Sequence, residues 1–167
     1  MKRLTFAVLA LVAPSVGTDA RAAPAGASCA TAIPTVYDTP YTTDTTGTTN
    51  WMTSFGPLVS PSNDQLYSYV AGPQPLDPIT PNTSNYAFAM YLIPSCSDSG
   101  TEPSPIRATG TLGVGMDLNT GSPPIVEGTT YYIAITGAAS GGSTANGTLG
   151  WDTGVFIAVT LQNFTIE

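Results

Sequence analysis

Histidine is absent from this sequence of 167 residues, and the only lysine is Lys2. Without histidine the chain cannot build a Ser-His-Asp or Cys-His catalytic group, and it lacks the most common general base at neutral pH. Because residues 3–167 contain no lysine, they cannot carry out Ser-Lys or Schiff-base chemistry. Few means of catalysis remain, and we expect a protein that is not an enzyme.

The first residues have the layout of a secretory signal peptide. A basic start and an apolar run over residues 4–12 precede a small-residue site, Ala-Arg-Ala, at residues 20–22. This run is too short to span a bilayer as a permanent helix, which needs about 20 apolar residues. We expect cleavage after Ala22, because a cut one residue later would leave Pro24 as the first mature residue. Residues 1–22 are therefore predicted to be removed, leaving a secreted, periplasmic or cell-surface domain of residues 23–167.

Positive charge is almost missing from the predicted mature chain. The predicted signal peptide holds three of the four basic residues and one of the eleven acidic residues. The predicted mature chain therefore has one basic residue, Arg107, ten acidic residues and a net charge of −9. Phosphate binding needs clustered Lys and Arg, and an anionic membrane surface attracts the same residues. We expect no nucleic-acid partner and no stable membrane insertion.

The two cysteines of the sequence, Cys29 and Cys96, both lie beyond the predicted cleavage site. An even pair in an exported chain favours a disulfide over free thiols, and two cysteines without histidine cannot complete a tetrahedral zinc site unless carboxylates help. A lipoprotein anchor at Cys29 is the competing interpretation, because small residues precede it. The expected aliphatic residue three places earlier is missing, however, and the apolar run lies too far upstream. We predict a disulfide between Cys29 and Cys96.

Alternating β-branched and aromatic residues between turn signals predict a sheet protein. The clearest strand is 128–137, where Tyr131, Ile133 and Ile135 share one face and Tyr132, Ala134 and Thr136 the other. Further strands are predicted at residues 33–39, 64–72, 85–93, 106–118 and 155–166. Long loops are predicted at 40–63, with at most one short strand in it, and at 138–152. We predict an all-β chain folded as a single antiparallel β-sandwich, jelly-roll-like, with seven or eight strands.

Several of these strands carry short sequence pieces that resemble the bacterial pre-peptidase C-terminal (PPC) domain family, in the same order, across about residues 29–161. The pieces are Cys29-Ala-Thr-Ala-Ile33, Asp64-Gln-Leu-Tyr-Ser-Tyr69, the strand end at 91–96, Gly128-Thr-Thr-Tyr-Tyr-Ile-Ala-Ile-Thr-Gly137 and Gly154-Val-Phe-Ile-Ala-Val159. The resemblance implies a small bacterial β-sandwich or jelly-roll module of the kind attached to secreted proteases and other exported enzymes. No peptidase domain accompanies it, so we expect a stand-alone secreted member.

Carboxylates offer two kinds of chemistry. Calcium suits lone acids in an exported acidic domain because it takes carboxylate and carbonyl oxygens, and Asp64 is the first candidate ligand. Relatives with calcium sites use acidic loop residues, but Ala87 and Thr136 stand where the PPC-like pattern often has aspartate, which weakens that expectation. No other cofactor is expected. A carboxylate pair for glycoside hydrolysis would come from Asp64, Asp117, Glu127 and Asp152, and nothing in the spacing selects two of them.

The aromatic residues of the two predicted loops give the candidate ligand-binding residues. Trp51 and Trp151 lie in separate loops, with Tyr41 near the first, and they offer large contact areas if the loops converge. Both tryptophans could instead be plugs that seal the sandwich. The leading hypothesis is a non-catalytic module that binds an extracellular polysaccharide or protein surface. The alternatives are a structural subunit of a surface appendage or matrix and, third, a carboxylate-dependent hydrolase.

Overall fold

The computed structural model describes residues 25–60, 62–74, 76–138 and 145–154, and within these ranges every regular element except a short 3-10 helix at Cys29–Thr31 is a strand. The predicted signal peptide and the predicted strand at 155–166 lie outside the described residues. In chain order the strands are β1 (Ile33–Pro34), β2 (Pro40–Asp44), β3 (Ser54–Phe55), β4 (Leu58–Val59), β5 (Asp64–Val70), β6 (Thr80–Ser84), β7 (Phe88–Ile93), β8 (Thr101–Glu102), β9 (Arg107–Thr109), β10 (Thr130–Gly137) and β11 (Thr148–Asp152).

The strands form three sheets. The central sheet has the order β1-β5-β10-β7-β9 and is antiparallel except where β1 runs parallel to β5. The second sheet has the order β2-β11-β6, and the third has the order β4-β3-β8. The all-β prediction is confirmed, but a single sandwich of seven or eight strands is not, because the residues that the structure describes form eleven strands in three sheets.

Strand β10 is the middle strand of the central sheet and is hydrogen-bonded to β5 and β7 along its length. It starts after a turn in which Gly128, at φ +74°, donates to the carbonyl of Ala71. The predicted alternation is confirmed: Tyr131, Ile133 and Ile135 enter one core, while Tyr132 and Ala134 pack with the other. Burial on both faces explains why this strand is the strongest β signal in the sequence.

Two hydrophobic cores lie on opposite faces of the central sheet. The first core joins the central and second sheets, and the second core joins the central and third sheets. The first core consists of Tyr67, Tyr69, Ala71, Leu76, Ile79, Phe88, Met90, Leu92, Met116, Leu118, Ile125, Tyr131, Ile133, Ile135, Leu149 and Trp151. The second consists of Met52, Phe55, Leu66, Ile93 and Ala134, with half-buried neighbours that include Trp51 and Tyr91.

The strand predicted at 106–118 is much shorter in the structure, where β9 covers only Arg107–Thr109. Pairing with β7 stops after Thr109. The chain then contacts β6, where Gly113 N–H donates to the carbonyl of Pro81 at 2.7 Å, and an isolated bridge outside the strands pairs Met116 with Ile79. Gly113, at φ +72°, turns the chain away from β9, and a Cβ on Gly115 would lie 2.6 Å from Pro78. The segment therefore crosses from the edge of the central sheet to the second sheet. Of the apolar residues in this segment, Met116 and Leu118 are buried, whereas Leu112 and Val114 are exposed.

The predicted loops at 40–63 and 138–152 also need correction, because both contain strands. Strand β2 lies in the first and β11 in the second, and the two pair with each other in the second sheet. The first loop also contributes β3 and β4 to the third sheet. Threonine is favourable in strands, so a Thr-rich segment can be a strand without alternating apolar residues when its partner strand covers one face.

Candidate functional site

The predicted disulfide is confirmed. Cys29 and Cys96 are bonded, with their Cα atoms 5.7 Å apart. The bond ties the 3-10 helix at Cys29–Thr31 to the segment that follows β7. The segment around Cys29 is thereby held against the end of β7, a strand with residues in both cores.

The structure brings together two of the three predicted ligand-binding aromatics. Tyr41 stacks on Trp151, with ring centroids 4.7 Å apart and an interplanar angle of 23°. Trp151 is only 1% exposed, and Tyr67 meets it edge-on at 4.9 Å. The hydroxyl of Tyr41 accepts a hydrogen bond from the backbone N–H of Val36. Trp151 is therefore part of the first core, and the ring of Tyr41 stacks on it. The two rings contact each other and are not available as a stacking surface for a ligand.

Trp51 lies elsewhere. It is half-buried against the second core, on the opposite face of the central sheet from Trp151. The two tryptophans therefore do not form the shared site that convergence of their segments would have produced.

Asp64, the calcium candidate, is the first residue of β5 and is fully buried. Its carboxylate accepts hydrogen bonds from the backbone N–H of Met52 at 3.0 Å and from the hydroxyl of Ser60 at 3.1 Å. The Ser60 hydroxyl lies 2.9 Å from that of Thr136 on β10. Burial raises the pKa of Asp64 to about 7. The carboxyl thus belongs to a hydroxyl network that ties the segment before β5 to the central sheet.

The other three carboxylates proposed for hydrolysis lie in different parts of the fold, and Asp152 is the last residue of β11. Asp117 accepts from Asn119 N–H at 2.8 Å and from the Thr120 hydroxyl at 2.5 Å, and these bonds, that of Thr120 first, lower its pKa. Asp152 accepts from the side-chain amide of Asn82 at 2.7 Å, and Glu127 is exposed. Each of these acids has a local role in a turn or on the surface.

Sequence reasoning did not identify a surface groove at the β7–β9 edge of the central sheet. It consists of two open depressions of about 400 Å³ and 430 Å³ that share Phe88, Gly110 and Ala138. The first extends toward the end of β6 and is also lined by Ser84, Tyr86, Ala87, Thr111 and Leu112. The second extends along β7 and β9 and is also lined by Ala89, Tyr91, Ala108 and Thr109.

The lining of this groove explains both its shape and its electrostatics. Small side chains at Ala89 and Ala108 leave space above the sheet, beside the ring of Tyr91, which packs on Phe55 with centroids 4.8 Å apart. None of the lining residues is charged. The nearby Arg107 does not change this, because its guanidinium donates to backbone carbonyls, among them that of Asp117 at 2.9 Å. The groove offers hydroxyl and apolar groups in an acidic protein.

Comparison with known proteins identifies no relative: no protein-family model matches the chain, and no curated protein or solved structure is recognisably similar to it. Within the residues that the structure describes, no helix has the length and apolar character needed to cross a membrane.

Proposed function

We propose that this protein is an exported, non-catalytic binding module that holds an uncharged extracellular polymer in the groove at the β7–β9 edge. In this proposal the chain is a PPC-like β-sandwich module, and the third sheet is an addition to the sandwich formed by the central and second sheets. The disulfide is in keeping with an oxidising compartment.

The observation that carries the proposal is the uncharged lining of the groove. The full sequence has a net charge of −7, so a lining without acids leaves a local surface on which a neutral chain meets little charge. Threonine and serine hydroxyls can bond to sugar hydroxyls or peptide groups, while Tyr91 and Leu112 offer apolar contact. The two joined depressions favour an extended ligand over a compact one.

The test is a binding screen against neutral polysaccharides, anionic polysaccharides and unstructured peptides. The variant Ala108→Trp places a large ring in the exposed position of β9 and should block the second depression. Ala30→Trp is the matched control, since Ala30 is also exposed and precedes β1, at the opposite edge of the central sheet. We expect neutral polysaccharide binding that Ala108→Trp removes and Ala30→Trp retains, with melting temperatures unchanged in both.

The screen distinguishes the possible results. Binding of peptides alone would move the module to the protein-binding class. Equal loss in both tryptophan variants would exclude the groove, and preferential binding of anionic polymers would contradict the electrostatic argument.

A second candidate, a subunit of an extracellular assembly, is favoured by the edge strand β4. Leu58 and Val59 are 44% and 78% exposed there, and an exposed apolar edge strand is a template for pairing with another chain. Size-exclusion chromatography over a range of concentrations tests this: growth into larger species that Val59→Lys abolishes would favour the assembly, and a constant monomer would exclude it.

A further inference from the structure

A buried carboxylate lies beside the disulfide. The Sγ atoms of Cys29 and Cys96 and a carboxylate oxygen of Glu102 all lie within 4.8 Å of one another. They are the one group of three potential metal ligands in the described part of the chain. By the sequence alone, the two cysteines need carboxylates to build a metal site. The fold places the carboxylate of Glu102, in β8, beside them.

Glu102 has little to stabilise its charge. It is 1% exposed, and its carboxylate accepts from the backbone N–H of Ser97 at 2.9 Å and from the hydroxyl of the same residue at 3.4 Å. No basic side chain contacts it among residues 25–60, 62–74, 76–138 and 145–154. Because a buried carboxylate without a cationic partner is unfavourable, a cation at this position would stabilise the local structure.

The positions of the two cysteines do not depend on the disulfide alone. The segment before Cys29 is held by the hydrogen bond from Leu66 N–H to the carbonyl of Gly26, at 2.9 Å, and Cys29 N–H donates to the carboxylate of Asp98. Glu102 is fixed in β8, where its carbonyl accepts from Gly56 N–H at 2.8 Å. Cys96 packs against the second core and precedes Ser97, whose N–H donates to Glu102, so the three ligands stay close together when the S–S bond is broken.

We propose that the reduced protein binds one thiophilic divalent cation, Zn²⁺ or a cation of similar preference, through Cys29, Cys96 and Glu102. An external dithiol supplies the electrons: it is oxidised to its own disulfide while the Cys29–Cys96 bond breaks, and each protein sulfur takes up one proton. The cation then displaces these two protons and is bound by two thiolates and one carboxylate. A water molecule fills the fourth position of a tetrahedral site.

Redox state controls this site. Thiolate is the ligand that zinc prefers, and a disulfide sulfur carries no charge and binds a cation poorly. The oxidised protein therefore has only Glu102 to offer, whereas reduction turns the same three side chains into a site. The inference is independent of the groove and of any polymer bound there.

The experiment is a zinc titration of the whole protein, oxidised and reduced, after the dithiol has been removed under anaerobic conditions. We expect the reduced form to bind one Zn²⁺ with release of about two protons, and the oxidised form to show no binding in the same range. Glu102→Gln should weaken binding at least about tenfold, since even an outer-shell change costs that much. Glu127→Gln, an exposed glutamate, is the matched control and should bind as the original protein does.

Several results would overturn the proposal: no zinc binding by the reduced form, equal affinity of the oxidised form, or unchanged affinity in Glu102→Gln. Circular dichroism is recorded alongside, and a reduced chain that stays unfolded with excess zinc also overturns it. If Glu102→Gln does not fold, Glu102→Asp replaces it, because the shorter side chain withdraws the carboxylate; unchanged affinity there excludes Glu102 as a ligand. X-ray absorption should show two sulfur neighbours at about 2.3 Å, and a zinc shell without sulfur contradicts the assignment.

Discussion

The indole N–H of Trp151 donates a hydrogen bond of 2.9 Å to the hydroxyl of Thr43, and that hydroxyl lies 2.7 Å from the hydroxyl of Tyr67. Thr43 and Trp151 belong to the second sheet, whereas Tyr67 belongs to the central sheet. All three side chains are buried. One threonine hydroxyl therefore satisfies two buried polar groups and connects the two sheets through the first core.

Replacing this threonine by valine should destabilise the protein, although the two side chains have nearly the same shape. Thr43→Val leaves the indole N–H of Trp151 and the hydroxyl of Tyr67 without their common partner, and each unsatisfied buried group costs about 1–3 kcal/mol. Thr43→Ser keeps the hydroxyl and should lose less. Denaturant unfolding measures the difference. A valine variant as stable as the original protein, or more stable than the serine variant, would contradict this role.

The pairing that creates this contact could not be predicted from the sequence. Strands β10 and β7 were found because they are covered on both faces and carry β-branched and aromatic residues throughout. Strands β2 and β11 span five residues each, β2 with two threonines and β11 with a glycine at its centre, and the pairing of Thr43 with Leu149 joins positions far apart in the chain. No local pattern encodes such a partner. The sequence therefore predicts a loop around Trp151, with ligand binding or sealing of the sandwich as its role, and does not predict strand β11.

The candidate site also combines a feature that the sequence predicts with one that it does not. The disulfide could be predicted from the number of cysteines and the sequence pattern of a signal peptide, because both are features of the chain itself. The groove arises where β9 ends early and small residues on two strands lie side by side, so it depends on register. Gly110, within the predicted strand 106–118, was the available signal for an interruption.

Asp64 predicts an unusual dependence of stability on pH. Burial raises its pKa from the ordinary 3.8 to about 7 in the folded protein. Between these two values the folded state holds a proton that the unfolded state has lost, so the unfolding free energy falls as the pH rises from about 4 to about 7. We expect the melting temperature to be higher at pH 5 than at pH 8.

Asp64→Asn separates this carboxyl from the general charge of the protein. The amide cannot ionise, so the variant should lose most of the difference between pH 5 and pH 8, while Glu127→Gln, an exposed control, should retain it. Thermal unfolding across the pH range provides the measurement. If Asp64→Asn shows the same pH dependence as the original protein, the network around Asp64 does not hold a protonated carboxyl.

Reduction of the disulfide in the absence of metal should lower the melting temperature clearly. The bond between Cys29 and Cys96 closes a loop with a sequence separation of 67 residues. In the chain-entropy model, a closed loop of that length stabilises the folded state by about 4 kcal/mol, a large part of the stability of a small domain. Cys96→Ser should behave as the reduced protein does. Equal melting temperatures with and without the bond would contradict a stabilising role.

Arg107 is the one basic residue in the described part of the chain. Its guanidinium donates to the carbonyls of Ile106 at 2.6 Å, Asp117 at 2.9 Å and Pro123 at 3.2 Å. Arg107→Lys keeps the charge but loses the planar fork of donors, so we expect a loss of about 1–2 kcal/mol and faster proteolytic cleavage within residues 117–123. If only the positive charge of Arg107 mattered, Arg107→Lys would be as stable as the original protein. Limited proteolysis and denaturant unfolding of Arg107→Lys beside Arg107→Met separate the two explanations, because equal losses in both variants assign the effect to the fork.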